Sequence, residues 1–296
     1  MKQFARENYM DRSGSTGRIF SGSILLILLA SGCKIQPEMP DLHYEVHGSG
    51  SPIIILDVGV GETYSSWETI IEQLSDVTSV FVYDRAGYYQ SETGPRPRHS
   101  RRAAHELEHC LRQNGIKPPY LLLGHSLGAM NLQVFANDYP QFVSGMILID
   151  PPPLDWLTGT SFPELRELFN NQTRQMEQAS EALLDSPDPE DNTQGRFLQT
   201  LASEHNELMT SSARQVAEIM SFGDLPVTVL AAGRFNPQFG DEAAAYQKFW
   251  NDQCLKVSQR SSTGNYILVS GATHHIHLDA PEIVIQAVRE MIRTAN

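Results

Sequence analysis

Six short, continuous apolar runs, each ended by a turn residue or a charged residue, constrain the fold of this chain most strongly. A continuous apolar run indicates a strand buried on both faces, as in a parallel sheet, whereas alternation would indicate one exposed face. The sequence therefore predicts a central sheet that is covered on both sides. The runs lie at residues 53–56, 80–83, 120–123, 146–149, 227–230 and 266–269.

Helical patterns separate several of these runs. Residues 100–114 carry an apolar stripe, residues 127–139 are largely apolar, and residues 281–292 begin with a proline. Because strands and helices alternate, the sequence predicts an α/β fold with a mainly parallel central sheet flanked by helices.

One long segment, residues 151–226, breaks this alternation with helical patterns and no convincing strand. It carries 13 acidic and 4 basic residues, and we expect residues 187–194 to form a polar loop between its helices. Ligands of open α/β sheets bind at the carboxyl ends of the strands, where such an insertion would shape a pocket. We call this segment the cap, although it could instead be a solvated helical face that only packs. The predicted core then comprises residues 33–150 and 227–296.

The first 32 residues resemble a targeting segment. A basic lead precedes an apolar stretch at residues 19–30, which is too short to span a bilayer as a helix but suits a signal-peptide core. Residues 30–33 (Ala-Ser-Gly-Cys) resemble a bacterial lipoprotein cleavage site, with Ala30 where that pattern prefers Leu. We expect an exported protein that is anchored to the membrane by lipid at Cys33; a plain signal peptide or an uncleaved anchor are the alternatives.

Composition excludes several classes of protein. With 41% hydrophobic and 19% charged residues, the chain has enough apolar side chain for a full core and is neither disordered nor a coiled coil. Its net charge of −13 argues against a nucleic-acid partner, because phosphate binding requires clustered Lys and Arg. Besides Cys33, only Cys110 and Cys254 are present, and they could pair in an oxidising compartment.

The strongest local motif is Gly-His-Ser-Leu-Gly at residues 124–128, which follows an apolar strand and begins an apolar helix. This context is typical of a nucleophile elbow, a sharp turn that holds a serine hydroxyl above the sheet. We expect Ser126 to adopt a strained backbone conformation. Gly124 and Gly128 would provide room, because a Cβ there would strike the neighbouring strand or helix.

A serine hydroxyl needs a base to remove its proton. Residues 271–281 follow the last predicted strand and contain three histidines. We choose His274 because it lies in the loop before the final helix; His275 is the adjacent competitor, and His277 is expected to pack or to cap. No matching Cys, His and Asp set lies nearby in the sequence, so we expect no metal at these histidines.

With these motifs, the chain resembles the α/β-hydrolase-fold enzymes over residues 42–292. Residues 83–88 (Tyr-Asp-Arg-Ala-Gly-Tyr) are similar to the D-R-x-G turn of that family, and Leu-Asp-Ala-Pro-Glu follows the histidine loop at residues 278–282. The resemblance implies a lipase, an esterase, a peptidase or a related enzyme that needs no cofactor.

The resemblance also implies an oxyanion hole. One donor is the N–H of Leu127, the residue after the nucleophile, and the other comes from the loop after the first predicted strand. Relatives often have His-Gly in that loop, whereas this chain has Val58 at the His position. By position the second donor is the N–H of Val60. Because this donor belongs to the main chain, the hole does not require the missing His.

The acid of the triad is less well determined by the resemblance. In most of the family it follows the strand assigned to residues 227–232, but this chain has Asn236 at the expected place. Asp241 lies five residues later and could reach back. The family's other location follows the preceding strand, which here ends at Asp150. We therefore predict Asp150 as the acid and Asp241 as the alternative, although Asp150 could also merely shape the turn before a proline.

One motif competes with this hypothesis. Residues 105–109 (His-Glu-Leu-Glu-His) match the H-E-x-x-H pattern of zinc proteases. His105 and His109 would lie on the helix face opposite the apolar stripe, and no third ligand follows at the metzincin spacing. A solvated helix face explains the motif better than a metal site.

We therefore expect a serine hydrolase that cleaves a small-molecule carboxylic ester through an acyl-enzyme intermediate. Serine at position 126 argues against the epoxide-hydrolase and dehalogenase branches of the family, which use Asp there. A peptidase, a thioesterase or an amidase with the same triad, or a binding protein that kept the fold without catalysis, are the alternatives.

Overall fold

The computed structural model describes residues 39–295. The predicted targeting segment and Cys33 lie outside the described residues, so both stay predictions. Within the described range, no helix is both long enough and apolar enough to cross a bilayer. Cys110 and Cys254 are buried free thiols, so the pairing that the sequence left open is not formed.

In residues 39–295, seven strands form one sheet in the order β1-β3-β2-β4-β5-β6-β7. Of these seven, only the edge strand β1 is antiparallel to its neighbour; all the other pairs are parallel. The predicted α/β class is confirmed, and each of the six apolar runs is a strand. The strands are β1 (Tyr44–His47), β2 (Ile53–Asp57), β3 (Val80–Tyr83), β4 (Tyr120–His125), β5 (Val143–Ile149), β6 (Val227–Ala232) and β7 (Asn265–Val269).

Helices cover both faces of the sheet. The α-helices are α1 (Glu68–Ser75), α2 (Ser100–Gln113), α3 (Leu127–Asp138), α4 (Leu154–Thr158), α5 (Pro163–Leu184), α6 (Pro189–Glu207), α7 (Ala213–Ala217), α8 (Ala243–Ser258), α9 (Ile276–Asp279) and α10 (Pro281–Ala295). Short 3₁₀ turns occupy Tyr64–Trp67, Pro140–Phe142 and Pro237–Glu242, and a π-helical turn occupies Leu208–Ser212.

Successive residues of the central strands enter two different cores. On β4, Leu122 packs with residues of α2, α3 and α8, whereas Leu121 and Leu123 pack with residues of α1 and α10. This division follows from the alternation of side chains along a strand. Both faces are therefore buried, which explains why the runs are apolar throughout.

The connection between β5 and β6 contains α4 to α7. Its longest helices, α5 and α6, pack together, and the ring of Phe169 stacks on His205 at 3.4 Å between centroids. The expected polar loop at residues 187–194 is wrong beyond its first two residues, because α6 begins at Pro189. Asp188 caps this helix by accepting a 2.9 Å hydrogen bond from the Glu190 N–H.

Candidate active site

The turn that carries Ser126 joins β4 to α3. Ser126 has a φ of 52° and a ψ of −120°, so the expected strained conformation is present. A Cβ on Gly124 would lie 2.8 Å from the backbone of Ala129, and one on Gly128 would lie 2.1 Å from the Asp57 carbonyl oxygen. Only glycine allows approaches this close, and the turn is therefore as tight as the motif predicts.

His274 lies between β7 and α9, with its Nδ1 2.6 Å from Oδ2 of Asp150. Asp150 directly follows β5 and is 2% exposed. Its second oxygen, Oδ1, accepts a 3.0 Å hydrogen bond from the Ala232 N–H at the end of β6. Both carboxylate oxygens of Asp150 therefore accept a hydrogen bond. A carboxylate at Nδ1 keeps the proton on that nitrogen and leaves Nε2 as the acceptor.

The two other positions considered for the acid have different surroundings. Asp241 is exposed in the 3₁₀ turn Pro237–Glu242, and Asn236 lines the cavity that Ser126 and His274 share. Of the two candidate acids, it is Asp150 whose carboxylate contacts the histidine.

Ser126 and His274 line one cavity of ≈ 340 Å³. Its volume lies within the range of small-molecule sites. Among the described residues, no Lys or Arg lines it. Half of its apolar lining residues are aromatic, and the apolar set is Val60, Pro152, Trp156, Leu165, Leu168, Phe169, Leu208, Phe239, Tyr246 and Trp250. Besides Ser126 and His274, the polar lining residues are Glu62, Gln172, His205, Asn236 and His275.

The two predicted oxyanion-hole donors lie beside this cavity. Val60 lines it, and Leu127 is the first residue of α3, directly after Ser126. The first N–H groups of a helix have no partner within the helix. Within residues 39–295, neither the Val60 N–H nor the Leu127 N–H is taken by an acceptor of the chain. Both donors are therefore available to a ligand.

A contact between partly exposed Glu62 and buried His125 links the loop after β2 to the histidine loop. His125 is fully buried; its Nδ1 lies 3.0 Å from Glu62 Oε2, and its Nε2 lies 3.0 Å from the His274 carbonyl oxygen. Burial acts to raise the pKa of Glu62, but hydrogen bonds from His125 and from the Gly59 N–H lower it to about 2. The carboxylate is therefore ionised at neutral pH. Glu62 could not be predicted as part of the site, because no local pattern in the sequence marks it.

The other histidines of the cluster have different environments. The His275 side chain is half exposed, with Nε2 3.6 Å from Glu62 Oε1. His277 is buried and stacks on Trp67 at 4.1 Å between ring centroids. Burial lowers the pKa of His277 to about 3. His277 therefore packs, as expected, and His274 is the histidine that contacts the candidate acid Asp150.

The H-E-x-x-H segment is part of α2. Glu106, which a zinc protease would use as its base, is buried and accepts hydrogen bonds of 2.7 Å and 2.6 Å from the guanidinium of Arg98. His105 is partly exposed and lies 3.4 Å from Asp138. The motif thus combines a structural ion pair with a surface histidine.

Comparisons with known proteins identify the family of the chain. A family model described as alpha/beta hydrolase fold matches residues 52–216. The uncharacterized protein YqjL of Bacillus subtilis is 26% identical over 244 residues, which cover 82% of this chain and 85% of that protein. The putative carbamate hydrolase RutD of Azorhizobium caulinodans is 29% identical over 134 residues, or 45% of this chain and 48% of that protein.

Solved structures extend the likeness over most of the chain. An esterase from Thermogutta terrifontis superposes with a TM-score of 0.60 and 21% identity, covering 86% of this chain and 94% of that one. A putative epoxide hydrolase from Pseudomonas aeruginosa gives a TM-score of 0.63 and 18% identity, covering 86% of this chain and 92% of that one. At such identities the likeness concerns the fold alone.

Proposed function

Since the chain belongs to the α/β-hydrolase-fold family, we propose that this hydrolase cleaves a carboxylic ester with a triad of Ser126, His274 and Asp150. The observation that carries the proposal is the 2.6 Å contact between Asp150 and His274, together with the cavity that His274 and Ser126 both line. A serine at a sharp turn, a histidine and a buried carboxylate are the parts that acyl transfer requires.

The reaction begins when the Ser126 hydroxyl oxygen attacks the acyl carbon and its proton passes to Nε2 of His274. Asp150 stabilises the imidazolium ion that forms. The N–H groups of Val60 and Leu127 stabilise the negative charge on the carbonyl oxygen, by roughly 3–4 kcal/mol for each donor. His274 then gives the proton to the leaving alcohol. A water that His274 deprotonates attacks the acyl-enzyme, releases the carboxylic acid and restores the serine.

The cavity supports a neutral ester with an apolar acyl group. Most of the residues that line it are apolar, and the described part of the chain places no Lys or Arg there to bind a carboxylate group of a substrate. The Glu62 carboxylate is ionised and lines the same cavity, so it repels an anionic substrate.

A substrate panel tests the proposal. We expect p-nitrophenyl esters of increasing acyl length to be hydrolysed faster than aminoacyl anilides, and Ser126→Ala to abolish the activity. The matched control is Ser262→Ala, an exposed serine, which should leave the rate unchanged. A preference for the anilides would make the protein a peptidase or an amidase. A carbamate ester belongs in the panel because one relative is named a putative carbamate hydrolase.

A further inference from the structure

A buried ion network lies behind the loop that carries Val60. Arg85, in the turn after β3, donates from Nη1 to Asp57 Oδ1 at 2.7 Å and from Nε to Glu204 Oε1 at 2.9 Å. The three charged side chains are at most 3% exposed. Such a network adds little net stability, because desolvation offsets most of the attraction, but it constrains geometry strongly. Glu204 belongs to α6 of the cap, so the network joins the cap to the core.

The same guanidinium also holds two peptide carbonyls of the loop after β2. Nη1 donates to the Val58 oxygen at 2.6 Å, and Nη2 donates to the Gly59 oxygen at 2.9 Å. The Gly59 carbonyl and the Val60 N–H belong to one peptide unit. Because a trans peptide is planar, its N–H points away from its carbonyl oxygen. Arg85 therefore sets the direction of the Val60 N–H, and its charge polarises that peptide and makes the N–H a better donor.

The neighbouring N–H groups of the loop are already occupied. The Gly59 N–H donates to Glu62 Oε2 at 2.9 Å, and the Gly61 N–H donates to the Tyr88 hydroxyl at 3.0 Å. Within the described residues, no acceptor of the chain takes the Val60 N–H, which lies between them. The loop is thus held on both sides of the one donor that is left for a ligand.

We propose that Arg85 is a positioning residue of the oxyanion hole and that Glu204 makes its alignment depend on the cap. Glu204 Oε2 accepts a 2.5 Å hydrogen bond from the Tyr88 hydroxyl and lies 3.2 Å from Nη2 of Arg85. The Glu204 carboxylate therefore accepts hydrogen bonds from both side chains that anchor the loop after β2, Arg85 and Tyr88. The inference rests on the proposed function, because it needs an oxyanion to form beside Val60.

The test is Glu204→Gln, which keeps the size of the side chain and removes its charge. All the partners of Glu204 are donors. The amide oxygen of Gln can keep only one of the two acceptor positions, and its NH₂ group then faces a donor of Arg85 or Tyr88, which loses its partner. We expect kcat to fall by about 10- to 100-fold, less than the ~10²–10³-fold loss caused by removing a donor outright, with KM nearly unchanged. Glu181→Gln, an exposed glutamate of α5, is the matched control.

Two inhibitors separate alignment from a general loss of structure. A trifluoromethyl ketone forms a bond between Ser126 oxygen and its carbonyl carbon, the π electrons move to the carbonyl oxygen, and the serine proton passes to His274. The matching methyl ketone occupies the cavity without forming this adduct. We expect Glu204→Gln to bind the trifluoromethyl ketone more weakly, by the same factor as the loss in kcat. Its affinity for the methyl ketone should be unchanged.

A folded Glu204→Gln protein with unchanged kcat and unchanged affinity for both ketones would overturn the inference. If that variant does not fold, Tyr88→Phe decides by the same criteria, because it removes only the hydroxyl between Glu204 and the Gly61 N–H. Wild-type protein that forms no adduct would refute the proposed function, and with it this inference. Adduct formation that is equal in wild type and variant would refute the inference alone.

Discussion

Replacing Asp150 by Asn perturbs the candidate triad with almost no change of shape. In the wild type, Oδ1 accepts from the Ala232 N–H and Oδ2 accepts from His274 Nδ1. The amide oxygen of Asn should stay at the Ala232 N–H, because only an acceptor fits there. The NH₂ group then faces His274 Nδ1. That nitrogen must become the acceptor, so the proton moves to Nε2, which can no longer take the proton of Ser126.

The expected loss in kcat follows from this change of tautomer of His274. A triad whose histidine carries the proton on the wrong nitrogen loses ~10⁴-fold in kcat. At 1.36 kcal/mol for each factor of ten, this corresponds to about 5 kcal/mol of transition-state stabilisation. The binding cavity is untouched, so KM should change little.

The assay is steady-state hydrolysis of a p-nitrophenyl ester by Asp150→Asn and by Asp241→Asn. The second variant is the control, because Asp241 is an exposed acid beyond the next strand. We expect Asp241→Asn to keep wild-type kcat, and thermal unfolding should show that both variants are folded. A large loss in Asp241→Asn together with full activity in Asp150→Asn would refute the reasoning.

Two further predictions concern packing and pH. Gly128→Ala places a Cβ 2.1 Å from the Asp57 carbonyl oxygen, so we expect activity to be lost and the free energy of unfolding, measured in urea, to fall by about 1–3 kcal/mol; an active, equally stable variant would contradict this. Burial lowers the pKa of His205 from 6.5 to about 4. On acidification, His205 is therefore protonated in the unfolded chain before it is protonated in the folded one. The free energy of unfolding keeps its full value above pH 6.5 and declines as the pH falls towards 4. His205→Phe should remove about 2–3 kcal/mol of this decline, and parallel urea-unfolding profiles of wild type and variant between pH 7 and pH 4.5 would show that the reasoning is wrong.

Six of the strands could be predicted because a strand that is buried on both faces appears in the sequence as a continuous apolar run. β1 was not predicted, since its polar residues Glu45 and His47 interrupt any apolar run at this edge of the sheet. The start of α6 has the polar composition of a loop, but Asp188, a helix cap, followed by proline is the local signal that a helix begins there.

The local parts of the site were predictable and the long-range parts were not. Ser126 was found from a turn motif within five residues. Glu62 meets His125 across 63 positions, and Glu204 meets Arg85 across 119, so no spacing rule connects either pair. The choice between Asp150 and Asp241 had the same difficulty, because both follow strands at the same edge of the sheet.

Mass spectrometry after reaction with a fluorophosphonate tests most directly whether Ser126 is the nucleophile. We expect one adduct on each folded wild-type molecule, located on the peptide that contains Ser126, and none on Ser126→Ala. Folded wild-type protein that hydrolyses esters while its Ser126 peptide stays unmodified would contradict the assignment of Ser126 as the nucleophile.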